Sequence, residues 1–148
     1  MLYCERGKAK ISIVDDVWEI WNKVFFTGIT KNEIHYRLEI ELLDLAEKYN
    51  ELGVLEYPVN QFYKDGLIDV VWVEPFNHPV TAFEIDLSKK EKSIFKLLKI
   101  DVKERYWLYY GVYADIKSFI SHLDPEHLIT VIDLPYYKNK YREHIPNQ

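Results

Sequence analysis

The stretch "LIDVVWVEPFNHPVTAFEIDLSKKEKS", residues 67–93, decides the fold and poses the functional question. Its first apolar run is the second arm of a hairpin whose turn is Lys64-Asp65-Gly66, because Asp-Gly between apolar runs is a strong hairpin signal. Its second run, PVTAFEIDL, alternates as a strand that starts after Pro79. Ser88 and Glu91 then have capping-box spacing and open a basic helix, KKEKSIFKLLKI. Three carboxylates, Asp69, Glu84 and Asp86, lie where apolar strand residues are expected. Glu84 and Asp86 are two apart, so they share one strand face, with Ile85 on the other.

Upstream, DDVWEIWNKVFF places Val17, Ile20, Trp21, Val24 and Phe25 at helical spacing, with Asp15 or Asp16 as N-cap and Gly28 as the end. Thr30 and Glu33 open a second helix that runs to Gly53, with Ile34, Leu38, Leu42, Leu45 and Tyr49 as its apolar stripe. Pro58 marks the first hairpin strand as bent or at an edge. Downstream, RYWLYYGVY reads as a strand, DIKSFISHL as a short helix and HLITVIDLP as the last strand. The order predicts an α/β fold with a central mixed β-sheet, an antiparallel meander leading into it and helices flanking it. A length of 148 residues suits one domain. Its core spans about 30–134, with an N-terminal helical extension at 12–28 and a basic aromatic tail at 136–148.

Hydrophobic content of 48%, charged content of 29% and aromatic content of 16% belong to a folded globular chain. Cys4 is the single cysteine, which excludes an internal disulfide or a cysteine zinc cluster and suits a reducing, cytoplasmic setting. The start MLYCERGKAK lacks the apolar run of a signal peptide, and no segment approaches the ~20 apolar residues of a bilayer span, so a soluble protein without a membrane partner is expected. The five histidines have no zinc-site spacing, and neither a Gly-rich phosphate loop nor a serine nucleophile elbow is present. Trp18, Trp21, Trp72 and Trp107 read as core.

The net charge of −5 is uneven. Residues 88–105 carry seven bases against three acids, a local +4 that leaves −9 for the rest. The tail adds Lys138, Lys140 and Arg142 among Tyr136, Tyr137 and Tyr141. Such a mixture suits phosphates and bases, although the same lysines also serve to solvate an amphipathic helix. Clustered carboxylates are costly to desolvate unless cations neutralise them, and hard oxygen ligands suit Mg²⁺ or Mn²⁺. A metal held there activates water and stabilises charge on a phosphate.

Four segments, HYRLEIELLDL, LGVLEY, GLIDVVW and AFEIDLS, resemble the PD-(D/E)XK nuclease superfamily, whose restriction-endonuclease-like core has the same order of helix, three-stranded meander, helix and strand. The resemblance covers about 30–134. It implies Asp69 and Glu84 as metal ligands, with the Ile85 carbonyl as another and Glu41 of the leading helix ahead of Glu39 or His35 as a further one. The chain departs from the pattern at Asp86, which stands where the family usually has lysine. An aspartate there adds a metal ligand or a general base. In some members the lysine has moved to the following helix, and Lys90, sharing a face with Ile94 and Leu97, is the candidate for that role. Lys89, Lys92, Lys96 and Lys99 are the candidate nucleic-acid contacts, with Lys89, Lys92 and Lys96 projecting from the opposite side.

Two readings stay open. One is a metal-dependent nuclease acting on DNA rather than RNA, as a homodimer joined through Trp18, Trp21 and Phe25. The other is a catalytically inactive nuclease-like module that binds nucleic acid or a protein partner through the basic helix and tail.

Overall fold

The computed structural model describes residues 2–25, 29–59, 66–76, 78–112 and 116–135, with side chains from Ile13 onward. Helix α1 (Leu2–Phe25) precedes α2 (Lys31–Leu45), which continues into a 3₁₀ turn (Ala46–Tyr49). Strands β1 (Leu52–Pro58), β2 (Leu67–Val73) and β3 (Pro79–Asp86) follow, then α3 (Glu91–Lys99), β4 (Glu104–Tyr109), α4 (Lys117–Leu123) and β5 (Ile129–Asp133). All five strands form one sheet in the order β1-β2-β3-β4-β5. The β1-β2 and β2-β3 pairs are antiparallel, whereas β3-β4 and β4-β5 are parallel and joined through α3 and α4. The fold is therefore α/β with a mixed open sheet, as the element order predicted. Among the described residues no helix is long and apolar enough to cross a membrane.

Each face of the sheet carries its own core. Trp21, Leu38 and Leu42 from α1 and α2 pack on Val70, Trp72, Phe83, Ile85, Tyr106 and Leu108. Ile94, Leu97, Ile116 and Ile120, in and beside α3 and α4, pack on Val71, Ala82, Trp107 and Tyr109. Both faces of β2 and β3 are thus covered, which is why these strands read as near-continuous apolar runs. The Trp72 indole N–H donates to the Leu42 carbonyl at 2.9 Å, satisfying an acceptor in the last turn of α2 and tying that helix to β2.

Several local expectations are corrected. Helix α1 starts at Leu2, so neither Asp15 nor Asp16 is its N-cap. Asp16 is instead buried and accepts two 3.0 Å hydrogen bonds from Lys48 Nζ and one of 2.6 Å from the Tyr49 hydroxyl. The stripe assigned to a dimer contact packs inside the chain: Trp21 is in the core, and Trp18 and Phe25 lie against it. Thr30 is the N-cap of α2, but its hydroxyl donates to the Glu33 carboxylate at 3.1 Å rather than closing a full capping box. The helical stretch stops at Asn50, whose φ of 61° takes the left-handed cap, and not at Gly53. Gly53 lies in β1, where a Cβ would stand 2.9 Å from Leu43 Cα; its bareness lets strand and helix pass. Helix α3 begins after an extended Lys90, so Ser88 lies outside it. Gly28, Lys64, Asp65 and the tail 136–148 lie outside the described residues, although the Val59 amide donates to the Gly66 carbonyl at 2.7 Å and closes the hairpin beside its turn.

Candidate functional site

The β2-β3 ladder ends at Val70 opposite Phe83. Beyond that pair the strands part, and the Ile85 amide turns to a side chain: Asp69 Oδ2 accepts it at 2.8 Å. A backbone donor that would cost free energy if left bare is thereby satisfied, and the parted strand ends frame an open pocket of about 290 Å³. Its lining includes Asp69, Glu84, Ile85, Asp86, Lys90, Lys92 and Lys96. Period-two alternation holds on β3, since Ile85 joins the α1/α2 core while Glu84 and Asp86 turn to the α3 side.

Glu84 is 1% exposed. Burial, reinforced by the neighbouring Asp69 carboxyl, pushes its pKa up to about 9, so without a metal it holds a proton at neutral pH. Lys96 Nζ lies 2.7 Å from Glu84 Oε1 and donates to the Leu67 carbonyl at 2.7 Å. Burial also raises Asp86, against the opposing pull of hydrogen bonds from Ser93 and Trp107; the Trp107 indole donates to Asp86 Oδ2 at 2.8 Å. Lys90 Nζ stands 3.9 Å from Asp86 Oδ1. For Asp69 burial works upward, but His35, the Glu84 carboxyl and the Ile85 amide outweigh it and hold the group below the usual carboxylate range.

Helix α2 supplies the opposite wall. His35 Nε2 lies 2.6 Å from Glu39 Oε1 and 3.7 Å from Asp69 Oδ1. Hydrogen bonding to Asp69 and Glu39 lifts the imidazole to about 10, so in the metal-free protein it is a cation at neutral pH.

The cleft thus brings together most of the residues singled out from the sequence. Glu41 is not among them: it pairs with Lys23 at 2.9 Å and Arg37 at 3.7 Å. The α2 residues beside Asp69 are His35 and Glu39, ranked below Glu41 in the sequence; the available signal was their i,i+4 spacing, which stacks them on one helix face. Sequence spacing puts Lys96 on the outer side of α3, yet its side chain is only 18% exposed and reaches Glu84. It sits at the rim of the buried stripe formed by Ser93, Ile94 and Leu97, from where a four-carbon stem carries the ammonium inward. Lys89 and Lys99 are exposed and do not line the pocket. Arg105, part of the basic run, donates to the Leu97 and Ile100 carbonyls at 2.7 and 2.8 Å and so satisfies acceptors at the end of α3. Comparison with family models, with curated proteins and with solved structures finds no match for this chain.

Proposed function

We propose that the protein is a divalent-metal-dependent nuclease that hydrolyses phosphodiester bonds, built on a restriction-endonuclease-like core. The observation that carries this reading is the convergence of Asp69, Glu84 and Asp86 with Lys90, Lys92 and Lys96 around one open pocket. Acids alone would repel a phosphodiester, and lysines alone would bind it without hydrolysis. Together they suit a cation and the phosphate it acts on. When bound, Mg²⁺ or Mn²⁺ supplies Lewis-acid polarisation of the phosphate and lowers the pKa of water.

The chain's own residues divide the remaining work. Asp69 is ionised and fixed by the Ile85 amide, which makes it the pre-set anionic ligand. Glu84 must give up its proton to become the second, so ion uptake releases a proton at this residue. Lys90 and Lys92 attract the phosphate at the mouth, and Lys96 is placed to follow it inward. Asp86 takes the position of a proton acceptor for attacking water. DNA rather than RNA is the expected substrate on the resemblance. A homodimer, which would cut two strands together, belongs to the same reading; a monomeric mass in light scattering removes it.

A second reading has its own support. Trp107 engages Asp86 and Lys96 covers Glu84, which suits a module that binds nucleic acid without turnover. Cleavage of duplex, single-stranded and branched DNA and of RNA, with Mg²⁺ or Mn²⁺, separates the two. The nuclease predicts metal-dependent cutting abolished by Asp69→Ala and by Glu84→Ala. Salt-dependent binding without any cutting would favour the inactive module.

A further inference from the structure

We propose that Glu56, on the edge strand β1, is a positioning residue for the cleft: its left-handed backbone rolls β1 and β2 together, so that Asp69 leaves the ordinary alternation of its strand and reaches across to β3. The bearing on function rests on the metal-dependent reading above, through Asp69, but the backbone inference is tested without cleavage.

The side-chain pattern of both strands breaks at one place. On β2, Val70 and Trp72 belong to the core under α1 and α2, and Val71 and Val73 to the core under α3 and α4. Continued alternation would put Ile68 with Val70, yet Ile68 packs with Val71. On β1, Leu55 lies against the α1/α2 core, and Tyr57, which should share its face, lies against the other. Leu55 still pairs with Val70 and Tyr57 with Ile68, so neither strand gains a residue and Glu56 stands opposite Asp69 at the break. Both strands therefore change face together, at that one position.

One torsion accounts for the roll. Glu56 has a φ of 52°, whereas φ at Asp69 is not positive. Among the described residues the other non-glycine residues with positive φ are Asn50 and His127, and both lie outside the strands. A non-glycine residue in the left-handed region is uncommon, and glutamate lacks the short side chain with which Asn and Asp satisfy the local backbone there. The Glu56 side chain is exposed, so what it contributes is a backbone shape rather than a contact.

The consequence falls on Asp69. With Ile68 rolled to the α3 side, the neighbouring Asp69 carboxylate reaches along the sheet, where Oδ2 accepts the Ile85 amide at 2.8 Å. In unbroken alternation Asp69 would share the face of Val71 and Val73 and turn its charge into the α3/α4 core, away from that amide. A local irregularity on the neighbouring strand thus re-aims a side chain that regular pleating would bury.

Amide hydrogen exchange by NMR on the metal-free full chain, with Glu56→Gly and Glu56→Val, tests this. Glycine adopts positive φ freely, whereas a β-branched residue resists it and favours extended strand. The Ile85 amide, which reports the bond to Asp69, should be as protected in Glu56→Gly as in the wild type and should exchange at least about tenfold faster in Glu56→Val. The Ile129 amide, held by Asp124, is the control, because a merely structural role would speed both amides by the same factor. If Glu56→Val does not fold, Glu56→Ala, which also disfavours positive φ, is read by the same criterion. Unchanged Ile85 protection in Glu56→Val, equal acceleration of Ile85 and Ile129, or lost protection in Glu56→Gly would each overturn the inference. Mn²⁺ calorimetry on the same proteins separates it from the reading above. Selective loss at Ile85 in a protein that binds no Mn²⁺ in any form sinks the metal site and leaves the positioning role standing. Tight Mn²⁺ binding in all forms, with Ile85 unmoved by Glu56→Val, does the reverse.

Discussion

Buried acids occur in two kinds of place among the described residues, and the two differ in what surrounds them. Asp16 on α1 is fully answered by Lys48 and Tyr49, and both oxygens of Asp124, just after α4, accept backbone amides, from Leu128 at 3.0 Å and Ile129 at 2.9 Å. These carboxylates lock an α1 contact and a turn. At the parted ends of β2 and β3 the acids also have partners, the Ile85 amide for Asp69, Lys96 for Glu84 and the Trp107 indole for Asp86, but here Asp69, Glu84 and Asp86 share one pocket as well, and Glu84 keeps a proton because burial and Asp69 disfavour its charge. A buried carboxylate is therefore no sign of a site until its partners are counted.

The largest expected effect is on turnover. Asp69→Ala and Glu84→Ala should each lower metal-dependent cleavage by at least about 10²–10³-fold, whereas Asp16→Ala should leave cleavage within about twofold. Equal losses from all three, measured as single-turnover rates, would erase the distinction. Next comes Lys96→Met, which removes the cation from Glu84 and the donor to Leu67. Cleavage should fall by about 10²-fold while metal affinity in calorimetry rises, because a competing positive charge is gone. A fall in both would show that Lys96 supports the ligand rather than competes for it.

Stability provides a sharper comparison through pH. Glu84 is raised from 4.5 to about 9 and His35 from 6.5 to about 10, so the folded metal-free protein holds both protons more tightly than the unfolded chain. For a raised pKa the associated stability is fully present below the unfolded value and is lost as pH climbs toward the folded one. The urea midpoint of metal-free protein should accordingly fall from about pH 4.5 to about pH 10, most steeply above about pH 6.5 where both groups contribute, and Glu84→Gln, which cannot titrate, should flatten the slope below about pH 9. A midpoint that rises over this window would contradict the assignment. Saturating Mn²⁺ should also oppose the fall, since the ion favours the deprotonated ligands.

Smaller effects belong to the satisfied acids. Asp124→Ala leaves two amides without their acceptor and should cost about 1–3 kcal/mol in urea unfolding at pH 7. For Asp16→Ala the loss should be about 1 kcal/mol, because the Lys48 side chain, 59% exposed, regains water.

Particular residues show how far the sequence could be read. The capping signals at Thr30 and Ser88 located helix starts to within about three residues, but the side chains do not form the expected boxes, since an extended Lys90 moves the start of α3 past Ser88. The apolar spacing of 17–25 found α1, while its extension to Leu2 runs through CERGKAK, which carries no continuous apolar stripe. Glu41 flanks the apolar stripe of α2, which favours it over His35 and Glu39 when the sequence alone is read. Which flank meets β2 depends on the rotation of that helix, set by the Trp72 and Leu42 contact between residues thirty positions apart.

The sequence by itself determined the order of strands and helices, the mixed character of the sheet and the shared face of Glu84 and Asp86, because periods of 2.0 and 3.6 residues are local properties of the backbone. Only the tertiary structure decided that β2 and β3 part at Asp69, that Lys96 reaches inward, and that His35 and Glu39, rather than Glu41, lie beside Asp69. Those outcomes depend on helix rotation and strand divergence, which arise from packing two separate cores on one twisted sheet and leave no periodic trace in the chain.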